Sequence, residues 1–266
     1  MTKHKHSFPR HAARLRHTPR ALPSMQKLAQ AGIPWILMEV VLAICTHPAI
    51  LMLTSIDAAE LFAGDMAITE ALRRFSYLCV PMDIRYAPEA MNILTPAGFG
   101  LALTLVLRMA MNGKGLLWLA PVCSSWVFMS AGSTDRCRYF PLGNQSEEST
   151  CVKDANIMYA RCILLCKLAA ALGLTYILEQ PLSSVMNCAP RFQQLMTDSC
   201  MWMASPVHMG AYGGGSKKSL KLFCNEPWVS ELVRPLPRGF VATGKKLTKR
   251  YIGPDGVKKS DWWPRS

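Results

Sequence analysis

The sequence predicts an α/β domain built on a mostly parallel sheet with helices on both faces. Three observations carry this. Short apolar runs alternate with helical stretches from Ser55 onward. The connections between runs are long enough to hold a helix. Glycine or Asn-Gly turn signals close the helical stretches at Asn112-Gly113 and Gly173. Half of the 266 residues are apolar and 18% are charged, which excludes disordered, fibrous and low-complexity classes. The formal net charge is +13, and it lies at the two ends of the chain. Residues 1–32 hold seven Lys/Arg and no acid, and residues 213–266 hold twelve against four. The stretch 33–212 between them holds eleven against thirteen.

The elements follow in order. Residues 1–32 read as a basic, unstructured arm. Its Arg10, Arg14, Arg16 and Arg20 suit an organelle-targeting peptide, a phosphate-binding tail or a solvated end equally. Residues 33–54 read as an apolar helix. Ile33–Leu53 has the length of a bilayer span, but Glu39 lies inside it and His47-Pro48 breaks it, so a buried helix is the adopted reading and a membrane span the alternative. Ile56–Phe62 then reads as a strand, Met66–Phe75 as a helix and Tyr77–Ile84 as a second strand. Phe99–Met111 is apolar nearly all round and predicts a buried helix, followed by a strand over Gly115–Ala120. A polar loop over 124–151, a long helix over Val152–Leu172 and a strand over Leu174–Leu178 complete the regular part. Beyond Pro181 the pattern predicts a short helix over Pro190–Thr197 and strands over Met201–His208 and Ser219–Cys224. Gly253-Pro254-Asp255-Gly256, between basic arms, predicts a hairpin. The division is therefore an α/β domain over 55–212 and a separate basic segment over 213–266.

The ten cysteines form no CxxC pair, and most of the six histidines sit in the N-terminal arm, so no metal site is expected. The cysteines read as buried small hydrophobes of a protein in a reducing compartment, intracellular, nuclear or organellar. A monomer is expected.

Open parallel sheets bind ligands at the carboxyl ends of their strands. Four candidates fall there: Glu60-Leu61-Phe62-Ala63-Gly64, Asp83, Pro121-Val122-Cys123 and Glu179-Gln180-Pro181. Gly64 permits a tight turn against a ligand, and Asp83, ending the next strand, has the placement of an acid that holds ribose hydroxyls. A strand-to-helix glycine and a capping aspartate account for the same residues structurally. Cys123 precedes Ser124-Ser125. If these open a helix, the thiol gains a lowered pKa and nucleophilic character; an inert buried cysteine is the alternative. Glu179 ends an apolar strand, where partial burial raises a carboxyl pKa and suits it to donate a proton; a turn-capping role is the alternative.

These residues resemble a family. Glu60–Gly64 is similar to the D-L-F-A-G cofactor motif of cytosine-5 DNA methyltransferases, Pro121–Cys123 to their P-P-C nucleophile motif, and Glu179–Pro181 to their E-N-V motif. Their order and strand placement agree over roughly residues 55–185. The resemblance implies a Rossmann-like methyltransferase fold using S-adenosylmethionine and a DNA partner. Glu60, Phe62, Gly64, Asp83, Ile84 and Pro121 would form the cofactor site. Cys123 would add to C6 of cytosine and Glu179 would contact N3, with the base extruded from the duplex. Lys217, Lys218, Lys221, Arg136 and Arg138 would contact nucleic acid, and Lys218–Asn225 is similar to the family's K-x-T-R-L-W stretch. The chain departs from the pattern at Asp65-Met66-Ala67, Asn92 and Val122. The second reading is accordingly a methyltransferase-like protein that binds nucleic acid without methylating it.

Overall fold

The computed structural model describes residues 25–46, 55–143, 150–242, 250–252 and 258–260. The basic arm over 1–24 and the break at His47-Pro48 lie outside the described residues, as does the turn Gly253–Gly256.

Helices α1 (Met25–Gln30) and α2 (Trp35–Thr46) come first, separated at Gly32 and Pro34. Two expectations change here. The arm is helical over its last part, where Leu28 enters the core. The apolar stretch is a twelve-residue helix that starts only after Pro34, because proline suits the first turn of a helix and not its middle. One face, Leu37, Met38 and Val41, packs into the core, while Trp35 and Ile36 face outward. Among the described residues no helix is long and apolar enough to cross a membrane.

A six-stranded sheet follows, formed by β1 (Ala58–Leu61), β2 (Cys79–Met82), β3 (Leu116–Leu119), β4 (Thr175–Pro181), β5 (Trp202–His208) and β6 (Ser219–Cys224), in the order β2-β1-β3-β4-β6-β5. The first four are mutually parallel, and β6 runs antiparallel to both β4 and β5. The sheet is thus mixed, and the expected boundary after residue 212 does not hold. Leu220, Leu222, Phe223 and Cys224 are buried, so the basic C-terminal segment supplies an interior strand of the main domain.

Between the strands lie α3 (Ala67–Arg74), α4 (Pro96–Ala110), the short α5 (Ala131–Thr134), α6 (Thr150–Ala171) and α7 (Pro190–Asp198). Thr95 caps α4 by accepting from the Gly98 backbone N–H at 3.0 Å, and Pro96 occupies the first turn. Gly98 is needed for space: a Cβ there would meet the Asn92 carbonyl oxygen at 2.0 Å. The main core lies between one sheet face and α1, α2, α4, α6 and α7. The opposite face carries α3 at the β1–β2 margin and a 3₁₀ turn, Pro227–Leu232, at the β5–β6 margin. Half-buried Leu116, Trp118 and Glu179 lie between these covers. A small hairpin, β7 (Arg250–Ile252) and β8 (Lys258–Ser260), forms in the basic tail.

Candidate functional site

Because β1, β2, β3 and β4 are parallel, the segments that follow them emerge on one edge of the sheet. The antiparallel β6 brings its start, residues 216–218, to the same edge.

At the end of β1, the buried Glu60 carboxylate accepts from the Thr69 backbone N–H at 2.7 Å, the Thr69 hydroxyl at 2.6 Å and the Ile68 N–H at 3.4 Å. It ties down the first turn of α3, where orphan N–H groups favour an anion. The connection to α3 is tight: Phe62, Gly64 and Met66 all have positive φ. The Gly64 N–H donates to Asp83 Oδ2 at 2.9 Å, and a Cβ on Gly64 would approach an Arg85 guanidinium nitrogen to 2.7 Å. Asp83 Oδ1 accepts from the Arg85 N–H at 2.9 Å, while the Arg85 side chain pairs with Asp83 at 3.5 Å and with exposed Asp65 at 3.1 Å. The Tyr86 hydroxyl donates to the Gly64 carbonyl. The turns after β1 and β2 are thereby clasped together.

Behind the clasp, Leu61, Phe62, Met82, Asp83, Ile84, Met91 and Ile93 line a cleft of about 10 Å³, room for about one water molecule. Arg161 of α6 fixes its far wall by donating to the carbonyls of Ile93 and Thr95, the latter at 3.1 Å. Asn92 serves its own loop, accepting from the Leu94 N–H at 2.9 Å. The cleft chemistry fits the adenosine part of S-adenosylmethionine: apolar side chains to flank a base and one carboxylate for ribose hydroxyls. At its observed volume the cleft does not admit a nucleoside.

The second half of the edge is built on β3 and β4. Glu179, Gln180 and Pro181 lie within β4, paired with Leu222, Lys221 and Leu220 of β6, so the expected strand end falls later than the sequence suggests. Gln180 is buried. It donates to the Pro121 carbonyl at 3.2 Å and accepts from the Ser184 hydroxyl at 2.8 Å, fixing the turn that carries Cys123. Cys123 is half-buried. No α-helix begins behind it: Trp126 N–H closes a turn on the Cys123 carbonyl at 2.9 Å. The expected lowering of its pKa is therefore reversed. Burial pushes the thiol up, Lys218 and a local backbone hydrogen bond oppose this, and Glu179 adds to it. Burial also raises the Glu179 carboxyl, opposed by Lys218 and a Trp118 hydrogen bond and reinforced by Glu60. Lys218 thus acts on both Cys123 and Glu179, although the three come from separate parts of the chain.

The basic residues divide. Lys217 and Arg138 are exposed and Lys218 is half-buried. Lys221 donates to the Ser184 carbonyl and to Asn187 Oδ1, both at 2.8 Å, so it braces the sheet edge. Arg136 is not a surface contact. It is only 3% exposed, its guanidinium lies 3.7 Å from the Trp126 ring centre, and it donates to Ser125, Asn156 and the carbonyls of Pro141 and Val152. Burial lowers its pKa to about 10. Sequence reasoning did not single out Arg85, Tyr86 or Arg161. Each is a polar residue in or against a loop, and only the fold shows what it grips. Among the described residues no cluster of His, Cys, Asp or Glu is arranged to hold a metal ion.

No protein-family model, curated protein or solved structure matches this chain.

Proposed function

We propose that the chain is an S-adenosylmethionine-dependent methyltransferase resembling the DNA cytosine-5 enzymes, with Cys123 as nucleophile and Glu179 as the acid at the base. What supports the reading is topology: parallel β1, β2, β3 and β4 bring Asp83, the turn carrying Cys123, and Glu179 to one edge of the sheet, where Glu179 acts on the Cys123 thiol. When bound, S-adenosylmethionine supplies an electrophilic methyl group. Phe62, Ile84, Met91 and Ile93 would flank its adenine and Asp83 would take the ribose hydroxyls. The Cys123 sulfur adds to C6 of cytosine, which raises electron density at C5, and a proton from Glu179 at N3 offsets the charge that develops on the ring. Once C5 carries the methyl group, its proton would pass to water as the C6–S bond breaks to release the Cys123 thiolate, and the N3 proton would return to Glu179. Lys218 favours the thiolate, and the raised Glu179 pKa favours a carboxyl that still holds its proton.

A second reading, a nucleic-acid-binding protein without methyl transfer, is favoured by one observation: no α-helix opens behind Cys123 to activate its thiol, which burial pushes up instead. Isothermal titration with S-adenosylmethionine and transfer of labelled methyl groups to cytosine-containing DNA separate the two. The methyltransferase reading expects saturable cofactor binding, and transfer that disappears in Cys123→Ser. Absence of cofactor binding at millimolar concentration overturns it, and so does undiminished transfer by the serine variant.

A further inference from the structure

The segment that follows Cys123 reads as a polar loop, yet it is anchored from within and turns four large apolar side chains outward. Arg136 anchors it, with Nε donating to Ser125 Oγ at 3.0 Å, Nη2 to Asn156 Oδ1 at 3.0 Å, and the guanidinium stacked on Trp126. Cys137 and Phe140 exchange backbone hydrogen bonds of 3.3 and 3.2 Å, which closes a turn with Arg138, Tyr139 and Phe140 at its tip. Phe128 is 80% exposed, Met129 88%, Tyr139 98% and Phe140 53%. Four large apolar side chains on one braced segment contribute nothing to the core, and concentrated apolar exposure of this kind marks a binding surface. Cations stand beside it. Arg138 is on the turn and its charge is felt by Lys221, Lys218 is felt by Cys123, and Lys217 is exposed next to Lys218. Asp135 is the acid on the segment.

We propose that this segment is a stacking platform for unpaired nucleotides, and that the nucleic acid brought to Cys123 is single-stranded. The inference rests on the reading of the previous subsection that the partner is a nucleic acid, and adds its strand state. Aromatic side chains stack on base faces, which a single strand offers and a duplex hides. A duplex offers base edges in its grooves, read by an inserted helix or ribbon rather than by aromatic tips on a turn. A base already unpaired also reaches Cys123 without the cost of extrusion. The neighbouring cations suit the backbone phosphates that accompany stacked bases.

The test is fluorescence anisotropy on the full chain without cofactor, using a labelled cytosine-containing DNA strand, the same sequence as RNA, and the blunt DNA duplex. Both single strands, or one of them, are expected to bind at least about tenfold more tightly than the duplex. Tyr139→Ala combined with Phe140→Ala should weaken single-strand binding about tenfold or more with an unchanged melting temperature, since both side chains are exposed. Lys217→Ala should flatten the salt dependence and keep the preference for single strands. Duplex binding as tight as single-strand binding overturns the proposal. So does unchanged single-strand binding by the double variant. If the double variant instead abolishes self-association measured by sedimentation and leaves nucleic-acid binding intact, the surface is a protein interface and the proposal falls. Because no cofactor or methyl transfer enters the assay, single-strand binding that persists beside a failed cofactor titration leaves the platform standing and removes only the enzymatic reading.

Discussion

Replacing Arg136 with alanine tests whether one buried cation organises the segment behind Cys123. The side chain makes four hydrogen bonds, two to side chains on Ser125 and Asn156 and two to the backbone carbonyls of Pro141 and Val152, and it covers the Trp126 ring. Hydrogen bonds to a charged group contribute about 1.5–3 kcal/mol each, and a desolvated cation–π contact about 2 kcal/mol. Their sum is an upper bound, because burying an ion whose partners are all neutral costs several kcal/mol in return. Truncation also leaves carbonyls unpaired. The net expectation is a loss of about 3–5 kcal/mol, a large part of the stability of an ordinary domain. Urea unfolding followed by tryptophan fluorescence measures it. Hydrogen exchange then asks whether residues 124–143 lose protection first. Arg136→Lys should fall in the same direction, since an ammonium cannot reach partners spread over Ser125, Pro141, Val152 and Asn156 as a planar fork does. A loss below about 1 kcal/mol in the alanine variant, with exchange in 124–143 unchanged, refutes the argument.

Three further outcomes are expected. Site-resolved alkylation of Cys123 should be slow at neutral pH and climb only as pH passes the ordinary thiol value of 9.0, because burial raises this thiol; Lys218→Met should move the rise further up, and a midpoint near neutrality contradicts the electrostatics. Glu179 is raised in the folded chain by burial, so the unfolded chain loses this proton first and stability falls as pH rises from the ordinary carboxyl value through the folded one. Glu179→Gln should therefore match the parent in melting temperature near about pH 4 and exceed it increasingly at higher pH; a pH-independent difference counts against it. Arg85→Ala releases the pairs to Asp65 and Asp83 and should lower stability in urea unfolding by no more than about 1 kcal/mol, as partly exposed ion pairs do. A loss well above that counts against a merely surface role for the clasp.

Most of the regular structure was legible because its signals are local. The strand over Ser219–Cys224 has the expected bounds, and the strands and first helix between Ala58 and Leu119 lie inside theirs, while the helix expected over Phe99–Met111 starts earlier, at Pro96, where Thr95 caps it. What was not legible depends on distant pairing. That β6 sits inside the sheet follows from Leu220, Leu222 and Phe223 meeting β4, a contact made about forty residues away. The same pairing extends β4 through Pro181 and carries Glu179 into the strand. Arg136 looked like a surface cation because a single arginine in a polar stretch carries no sign of burial, and its partners lie on either side of it between Ser125 and Asn156. Of the two readings open for Cys123, the helix behind it does not form, since Ser124-Ser125 has the composition of a cap but the chain closes a turn there instead. For the site itself, the residue types were readable along the sequence, while the clasp by Arg85 and Tyr86 needed the fold.

The acids around the first two turns also sort themselves by what they already hold. Glu60 accepts from two backbone N–H groups and a hydroxyl inside the protein, so it builds the start of α3. Asp83 accepts one backbone N–H on each oxygen, and a carboxylate has about four lone-pair sites. It lines the cleft with capacity to spare, so of these acids Asp83 is the one that the proposed cofactor reading uses. Asp65, which departs from the glycine-rich continuation of the methyltransferase motif, lies outside the cleft lining and is paired with Arg85 at 3.1 Å. Its charge is thereby partly offset at the rim rather than aimed at a bound anion. The departure therefore changes how the turn after β1 is clasped to the turn after β2, and leaves the residues of the cleft wall as they are.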